Sequence, residues 1–475
     1  MITTRLAPSP TGNFHIGTLY QALFDYVYAK KKKGGKFILR IEDTDRSRFV
    51  KGAEELILKS LKWAGLSFDE GPIRQSERLE IYKKRALDLV EKGFAYYCFC
   101  SKERLDSVRK EKQNMGLPPM YDGKCSFLEL KVVKDSLALK KEYVIRMRVP
   151  KNKKIVINDL IRGSVVFDSN VIDDQVLLKS DGFPTYHLAA VVDDHLMKVT
   201  HVIRGEEWLS SSPKHALLYK YFGWKEPYWI HTPLMRNPDK SKLSKRQGHT
   251  DLRWYINEGY LPEALLNYLG LIVWGREKGK EIFSIEDMIH EFKFEDIRVS
   301  GPIFDLVKLN WINGIYIRNL KPIELKGRLV KFDKSLAKLD QKMLEKVIPL
   351  VQERMRKLSE FKKSANYFFN DIKTSNSDIK KLLLDESKTD KKSTAERLKI
   401  TTYTLQKTNS WTPELIDKKL REALSESKIK PRQFFMPIRV ALTGRNVSPP
   451  LVDIMKVLGK EKSIGRINKA VKLLS

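Results

Sequence analysis

Apolar positions recur in two rhythms that alternate along the first half of the chain. Residues 3–7 are extended and read as a short buried strand; two prolines and Gly12 turn the chain, and Ile16, Leu19, Leu23 and Val27 then recur at helical spacing. Residues 36–41 repeat the buried strand, 52–65 read as a helix, and 76–93 as an amphipathic helix through Leu79, Tyr82, Ala86, Leu89 and Val90. The aromatic and cysteine-containing run 96–100 leads into a long polar helical segment. Residues 142–167 are strand-like, with strands at 143–149 and 155–157 and a turn-bounded unit at 159–163. Residues 181–187 return the chain to the sheet, Asp193-Asp194-His195 closes the next helix, and 199–203 is a further strand. Buried strands alternating with helices predict an α/β fold with an open sheet, interrupted by an insertion, whose ligands collect beyond the carboxyl ends of its strands.

From 249 to 318 the pattern is mostly helical, and beyond Asn319 no strand pattern remains. Helices are expected at 343–361 and 413–427, with a charged, weakly apolar link near 385–395 and a last apolar piece at 434–445. Charge sharpens this division. The 475 residues hold 89 Lys and Arg against 59 Asp and Glu, a formal +30, which suits a polyanionic partner. Residues 321–475 carry 36 basic and 18 acidic residues, a net +18, against +12 for the first 320. The expected location is the cytoplasm, since the chain opens directly on a strand and no apolar run is long enough to cross a bilayer. Three cysteines, all between Cys98 and Cys125, argue against a disulfide framework.

Candidate chemistry gathers at strand ends. A strand feeding the helix that begins near Ile16 offers backbone N–H groups and positive dipole to an anion. His15, at the turn, can donate to phosphate oxygens, and Gly17 leaves room for a flat group such as a purine. Ser9 and Glu42 should converge on one crevice; Arg5 pointing into it would pair with a carboxylate, while Glu42 would hold an ammonium group. An Arg5–Glu42 structural ion pair is the alternative. Arg204 ends the strand 199–203, and the loop 238–246 carries Lys242 and Lys245, three apart, suited to closing on a triphosphate. Cys98, Cys100 and Cys125 offer three thiolates that one tetrahedral zinc could gather, with no obvious fourth ligand; plain reduced thiols are the alternative.

The string Arg5-Leu6-Ala7-Pro8-Ser9-Pro10-Thr11-Gly12, followed by His15-Ile16-Gly17, resembles the HIGH region of class I aminoacyl-tRNA synthetases in its glutamyl form, with Thr18 in place of the final His. Lys242-Leu243-Ser244-Lys245-Arg246 resembles their KMSKS loop, in the expected order. Together these identify a resemblance to bacterial-type glutamyl-tRNA synthetases over essentially the whole chain. It implies a Rossmann-type doubly wound catalytic domain (1–80 and 184–240) with an inserted acceptor-binding domain (81–183), a KMSKS loop and stem-contact domain (241–320), and an α-helical anticodon-binding region (321–475). The implied activity is ligation of glutamate to tRNA(Glu) through a glutamyl adenylate, with ATP and Mg²⁺, in a monomer. The implied roles are catalysis by His15, Gly17, Lys242 and Lys245, and glutamate binding by Arg5, Ala7, Ser9, Glu42, Tyr186 and Arg204. ATP binding falls to Pro10, His15, Gly17, Glu207, Trp208 and Lys245, and Ala190 stands where some members place a polar substrate contact. The cysteine spacing is similar to a zinc element of some members in which Tyr121 matches a ligand position, whereas Phe127 stands where others have a histidine. Arg354, Arg356, Arg439 and Arg445 are the expected anticodon contacts. Competing readings are an enzyme that also charges tRNA(Gln), a glutaminyl enzyme, which would carry Asp at position 42, a queuosine-modifying relative, which would lack the region after 319, and an inactive tRNA-binding paralogue, which would have lost His15 or Lys245.

Overall fold

The computed structural model describes every residue except 242, 244–249, 276–278 and 373–374. It divides into two compact units, Met1–Tyr255 with Pro262–Leu306, and Ile256–Leu261 with Val307–Ser475. In the first, β1 (Thr3–Leu6), α1 (Ile16–Lys30), β2 (Lys36–Ile41) and α2 (Ala53–Ala64) alternate as the pattern predicts; β3 (Glu70–Arg74), which the pattern did not show, follows, and the three strands pair in parallel in the order β1-β2-β3. Ile16, Leu19, Leu23 and Val27 are fully buried, so the helical spacing marks the face of α1 that packs on the sheet.

Beyond α3 (Leu79–Glu91) the chain forms β4 (Ala95–Cys98), α4 (Lys102–Asn114), α5 (Leu130–Ala138), β5 (Val144–Met147), β6 (Lys154–Asp159), β7 (Gly163–Asp168) and β8 (Val176–Leu178). It continues through α6 (Tyr186–Leu196), β9 (His201–Gly205), α7 (Ser212–Phe222) and β10 (Tyr228–Thr232). Strands β4, β5 and β8 make an antiparallel sheet of the insertion. The β6–β7 hairpin, which the sequence places inside the same insertion, instead joins the catalytic sheet: β6 pairs with β10 through Asp159 and Trp229, giving the order β7-β6-β10-β9. Its core partners explain this. Ile157 on β6 is fully buried in one cluster with Leu188 and Val192 of α6, Leu218 of α7 and Trp229, and each such side chain is worth about 1.5–3 kcal/mol against exposure.

Strands β1 and β9 lie side by side, with Thr200 N–H donating to Thr3 O at 3.0 Å and the Arg5 guanidinium donating through Nη1 to Ile203 O at 3.1 Å. Strands run outward from this seam in both directions, so the crevice beyond their carboxyl ends is the switch point of a doubly wound sheet.

The second unit contains no strand among its described residues, as expected. Two elements differ from the sequence reading. The helix expected over 343–361 is two, Gln341–Gln352 and Glu360–Phe369. Tertiary hydrogen bonds break it: Arg356 N–H donates to the Glu360 carboxylate at 2.7 Å, Leu358 N–H to Gly259 O at 3.0 Å, and Gln352 to the carbonyls of Ile317 and Leu320. The charged link expected over 385–395 is a tight turn between helices Asn376–Ser387 and Lys391–Gln406. Asp390 caps the second helix through Ser393 N–H, and Thr394, buried between them, bonds Ser387 and Thr389.

Candidate active site

One cavity of about 420 Å³ opens at the β1/β9 seam, and its lining includes Arg5, Ala7, Ser9, His15, Gly17, Glu42, Tyr186, Arg204, Glu207 and Trp208. Ten residues scattered over two hundred positions of sequence thus meet in one place. Pro10 is absent from that lining; it is buried beside the crevice, and its carbonyl accepts from Val50 N–H at 3.0 Å. Leu243 lines the cavity from the loop after β10, whereas Lys242 and Lys245 lie outside the described residues.

His15 is the N-cap of α1. Its Nδ1 accepts from Gly17 N–H at 2.9 Å, which leaves Nε2 to carry the proton of the neutral ring. A Cβ on Gly17 would stand 3.0 Å from that Nδ1, so glycine keeps the capping ring in place as well as the backbone open. Residues 250–252 brace this turn, with Ile16 N–H donating to Thr250 O at 2.7 Å and Leu252 N–H to Phe14 O at 3.0 Å.

The floor of the cavity holds two arginines with opposite surroundings. Arg5 donates through Nε to Asp194 at 3.0 Å, and Asp194 also takes Arg40 at 2.6 Å. Glu42 pairs with Arg40 at 3.2 Å, so the alternative of an Arg5–Glu42 structural ion pair is not formed; the partner of Arg5 is an aspartate of α6 that the sequence had shown only as a helix end. Burial pushes the Glu42 carboxyl upward and the cationic Arg40 and Arg5 pull it back, leaving it above the ordinary carboxylate range. Burial also opposes ionisation of Asp194, but there Arg5 and Arg40 prevail and hold its carboxyl low. Asp25 of α1 lines the same floor; neither of its buried oxygens has a partner, and desolvation raises it well above a normal aspartate.

Arg204, at 6 % exposure, has only neutral partners: Nε donates to His231 Nε2 at 3.0 Å, and the terminal nitrogens to Ser212 Oγ at 2.8 Å, Tyr186 Oη at 3.1 Å and His215 Nδ1 at 3.3 Å. Since Tyr186 Oη accepts from Arg204, its own O–H is left to donate. The Tyr186 ring packs 4.6 Å from Trp208. Ala190 is buried in α6 and offers the cavity no polar atom. Sequence reasoning missed Asp25, Arg40, Asp194, Ser212, His215 and His231. The doublet Asp193-Asp194 on an otherwise apolar helix was the one available signal, because a carboxylate on a buried face requires a cation.

Residues 1–311 match the model of the catalytic domain of class I tRNA synthetases (E and Q), and residues 317–471 an anticodon-binding domain. The chain is 44% identical over 481 residues to the glutamate–tRNA ligase of Acinetobacter baylyi, spanning 100% of this chain and 94% of that one. It is also 44% identical to the glutamate–tRNA ligase of Thermus thermophilus, over 99% and 100% of the two chains. The chain belongs to the glutamate–tRNA ligases. A crystal structure of such a ligase from Elizabethkingia meningosepticum, in complex with its amino acid, superposes with a TM-score of 0.89 at 35% identity over all of both chains.

In this ligase the three cysteines come together: their sulfurs lie within 4.8 Å of one another, with Cys100 and Cys125 3.5 Å apart. A tetrahedral zinc with bonds of about 2.3 Å to sulfur needs sulfurs separated by about 3.8 Å, so the donor set fits. The Tyr121 hydroxyl sits against this group, 3.5 Å from Cys98 Sγ and 3.4 Å from Cys100 Sγ, and accepts from Cys125 N–H at 2.9 Å. Phe127 is 86 % exposed and takes no part.

Of the expected anticodon contacts, Arg354 and Arg356 are exposed. Arg439 is half-buried and donates to Ser448 O at 2.9 Å and Pro449 O at 2.8 Å, so one end of its guanidinium clamps a loop. The Tyr367 hydroxyl, buried and without a hydrogen bond, has its pKa pushed up to about 12 by burial, against the pull of the positive charges of Arg445, Arg439, Arg354 and Arg466. Among the described residues of the ligase no helix is long and apolar enough to cross a membrane.

Proposed function

We propose that the crevice activates glutamate with ATP and passes it to tRNA(Glu). The observation that carries this reading is the partner set of Arg204. A buried cation bonded only to neutral atoms still lacks its countercharge, and a γ-carboxylate supplies it, with the Tyr186 hydroxyl as a second donor. Glu42, beside Ala7 and Ser9 at the end of β1, holds the α-ammonium group, and Arg5 sets the charge of the floor between them.

ATP lies over His15 and Gly17 at the start of α1, bordered by Glu207 and Trp208 with Pro10 buried behind the wall, and brings Mg²⁺ that offsets phosphate charge. A substrate α-carboxylate oxygen attacks the α-phosphorus; the bond to the β-phosphate oxygen breaks, and pyrophosphate leaves with the electron pair. The 2′-hydroxyl of the terminal adenosine of tRNA then attacks the acyl carbon, its proton passes to a phosphate oxygen of the adenylate, the bond from the acyl carbon to the phosphate oxygen breaks, and AMP leaves with the electron pair. The Nε2 proton of His15 donates to phosphate oxygens, and Lys242 and Lys245 set positive charge against the charge developing there. No side chain is covalently attached, so rate comes from positioning and electrostatics.

Cys98, Cys100 and Cys125, with Tyr121, would hold a zinc ion that would tie the loop after β4 to the rest of the inserted β4–β5–β8 module facing the acceptor end, and residues 321–475 take the anticodon arm through Arg354, Arg356, Arg439 and Arg445. The ligase is expected to act as a monomer, and the tRNA partner supports a cytoplasmic location. Charging assays with purified tRNA(Glu) and tRNA(Gln) test the proposal. ATP-dependent glutamylation of tRNA(Glu) is expected, charging of both would make tRNA(Gln) a second substrate, and charging of neither refutes the reading.

A further inference from the structure

Behind Arg204 stands a second layer of polar side chains with no contact to the cavity. His231, on β10, is fully buried and accepts from Arg204 through Nε2. A ring nitrogen accepts only when it carries no proton, so the ring is neutral and its single proton sits on Nδ1. That nitrogen lies 2.6 Å from Asp159 Oδ2. Asp159 is itself 4 % exposed, at the end of β6, and its other oxygen accepts from Ile161 N–H and Arg162 N–H, both at 2.9 Å. Two backbone donors and the imidazole N–H keep the carboxylate ionised, while burial and the adjacent Arg204 keep the imidazole from gaining a second proton. The reverse tautomer would set Nε2–H against the Nε–H of Arg204 and a lone pair against the carboxylate, losing both bonds. Ser212 Oγ, which accepts from Arg204, lies 3.1 Å from the same Nε2 and can donate its hydroxyl proton there only in this tautomer.

We infer that Asp159 is a positioning residue for side-chain recognition: it fixes His231 as the Nδ1–H tautomer, and His231 in turn fixes the direction in which the Arg204 guanidinium faces the cavity. A strand that the sequence puts in the inserted module thereby sets the geometry of the amino-acid pocket. The inference rests on Arg204 being the reader of the substrate carboxylate.

The test uses the full-length enzyme with tRNA. In Asp159→Asn the new amide can donate to Nδ1, which favours the reverse tautomer. The expected result is a rise of about tenfold in KM for glutamate, the loss of roughly one oriented hydrogen bond, with kcat and KM for ATP within about twofold of wild type. A merely structural role would lower the melting temperature and move both Michaelis constants together, and that outcome overturns the inference. Arg204→Gln, assayed in parallel, separates the two levels. If it leaves KM for glutamate unchanged, the functional reading falls; if it raises that constant and Asp159→Asn does not, only the inference falls. Nitrogen-15 NMR of wild-type protein labelled at histidine, with His231 assigned by the signals missing in His231→Gln, needs no folded Asp159 variant. Protonated Nδ1 with bare Nε2 is expected, and a protonated Nε2 overturns the inference.

Discussion

Arg204 and Arg5 are both almost fully buried, yet only Arg5 has a carboxylate partner, and that difference sorts their roles. Removing Arg204 removes an uncompensated buried charge. Arg204→Gln should therefore raise KM for glutamate about thirtyfold, a loss of roughly 2 kcal/mol for a charge-assisted pair, without lowering the melting temperature of the free enzyme. Steady-state kinetics with glutamate and ATP varied separately checks the first part and calorimetry the second. Glu42 makes the pocket sensitive to acid. Its carboxyl is raised by burial, and the anion is the form that holds an ammonium group, so glutamate binding should weaken as pH falls through a value above the usual carboxylate range. The pH profile of kcat/KM for glutamate should show that acid limb in the wild type, and Glu42→Gln should lower the plateau and flatten the limb. Asp194 behaves oppositely: its lowered carboxyl contributes stability that is present above an unfolded pKa of about 3.9 and lost only at lower pH, so the floor of the pocket outlasts its ligand on acidification. Arg5, Glu42, Tyr186 and Arg204 could be singled out in the sequence, Arg5, Glu42 and Arg204 by their place on or just after strands and Tyr186 by the family resemblance, and the fold brings all four to one cavity. Asp194, His231 and Asp159 could not be singled out, since their partners are up to 189 residues away and no local pattern encodes such a pairing.

Elements differ in how far their own sequence decides them. The turn at His15, the cysteine-bearing strand β4 and the loop after β10 all carry local signals. For the cysteine module, purified enzyme should hold one equivalent of zinc, and Cys98→Ser should lose it together with affinity for the acceptor stem. Metal-free wild-type protein that charges tRNA fully would leave three ordinary thiols. Lys245→Ala should lower pyrophosphate exchange about a hundredfold, since one oriented charge on the reacting phosphates is worth about 3 kcal/mol, while KM for glutamate stays within about twofold. Other elements were decided elsewhere. The break at 353–359 follows from bonds to Gly259, Ile317 and Leu320, whereas its own apolar spacing continues helical. The turn at 388–390 looked like a linker because charge dominates its composition, and the buried Ser387, Thr389 and Thr394 hydroxyl cluster that closes it is polar.

For the molecule as a whole, charge is shared unequally between the regions before and after Asn319. Phosphate contacts release counterions, so tRNA affinity should fall steeply with salt; deletion after Asn319 should flatten that dependence and weaken tRNA binding, yet spare glutamate and ATP binding, because every residue lining the cavity lies between Arg5 and Leu243. Filter binding across a salt series, with isothermal titration of glutamate, checks both halves, and an unchanged salt slope would take the anticodon arm away from this region. The sequence by itself determined the alternation of strands and helices, the all-helical second unit, the strand-turn-helix at His15 and the positions of the residues at strand ends, because period, turn chemistry and capping act over a few neighbouring residues. Only the tertiary structure decided that β6 and β7 belong to the catalytic sheet, that Asp194 rather than Glu42 answers Arg5, and that Asp159 stands behind Arg204. Those outcomes depend on which buried charges and polar atoms find partners across the core, a condition that the folded chain satisfies globally and no segment satisfies alone.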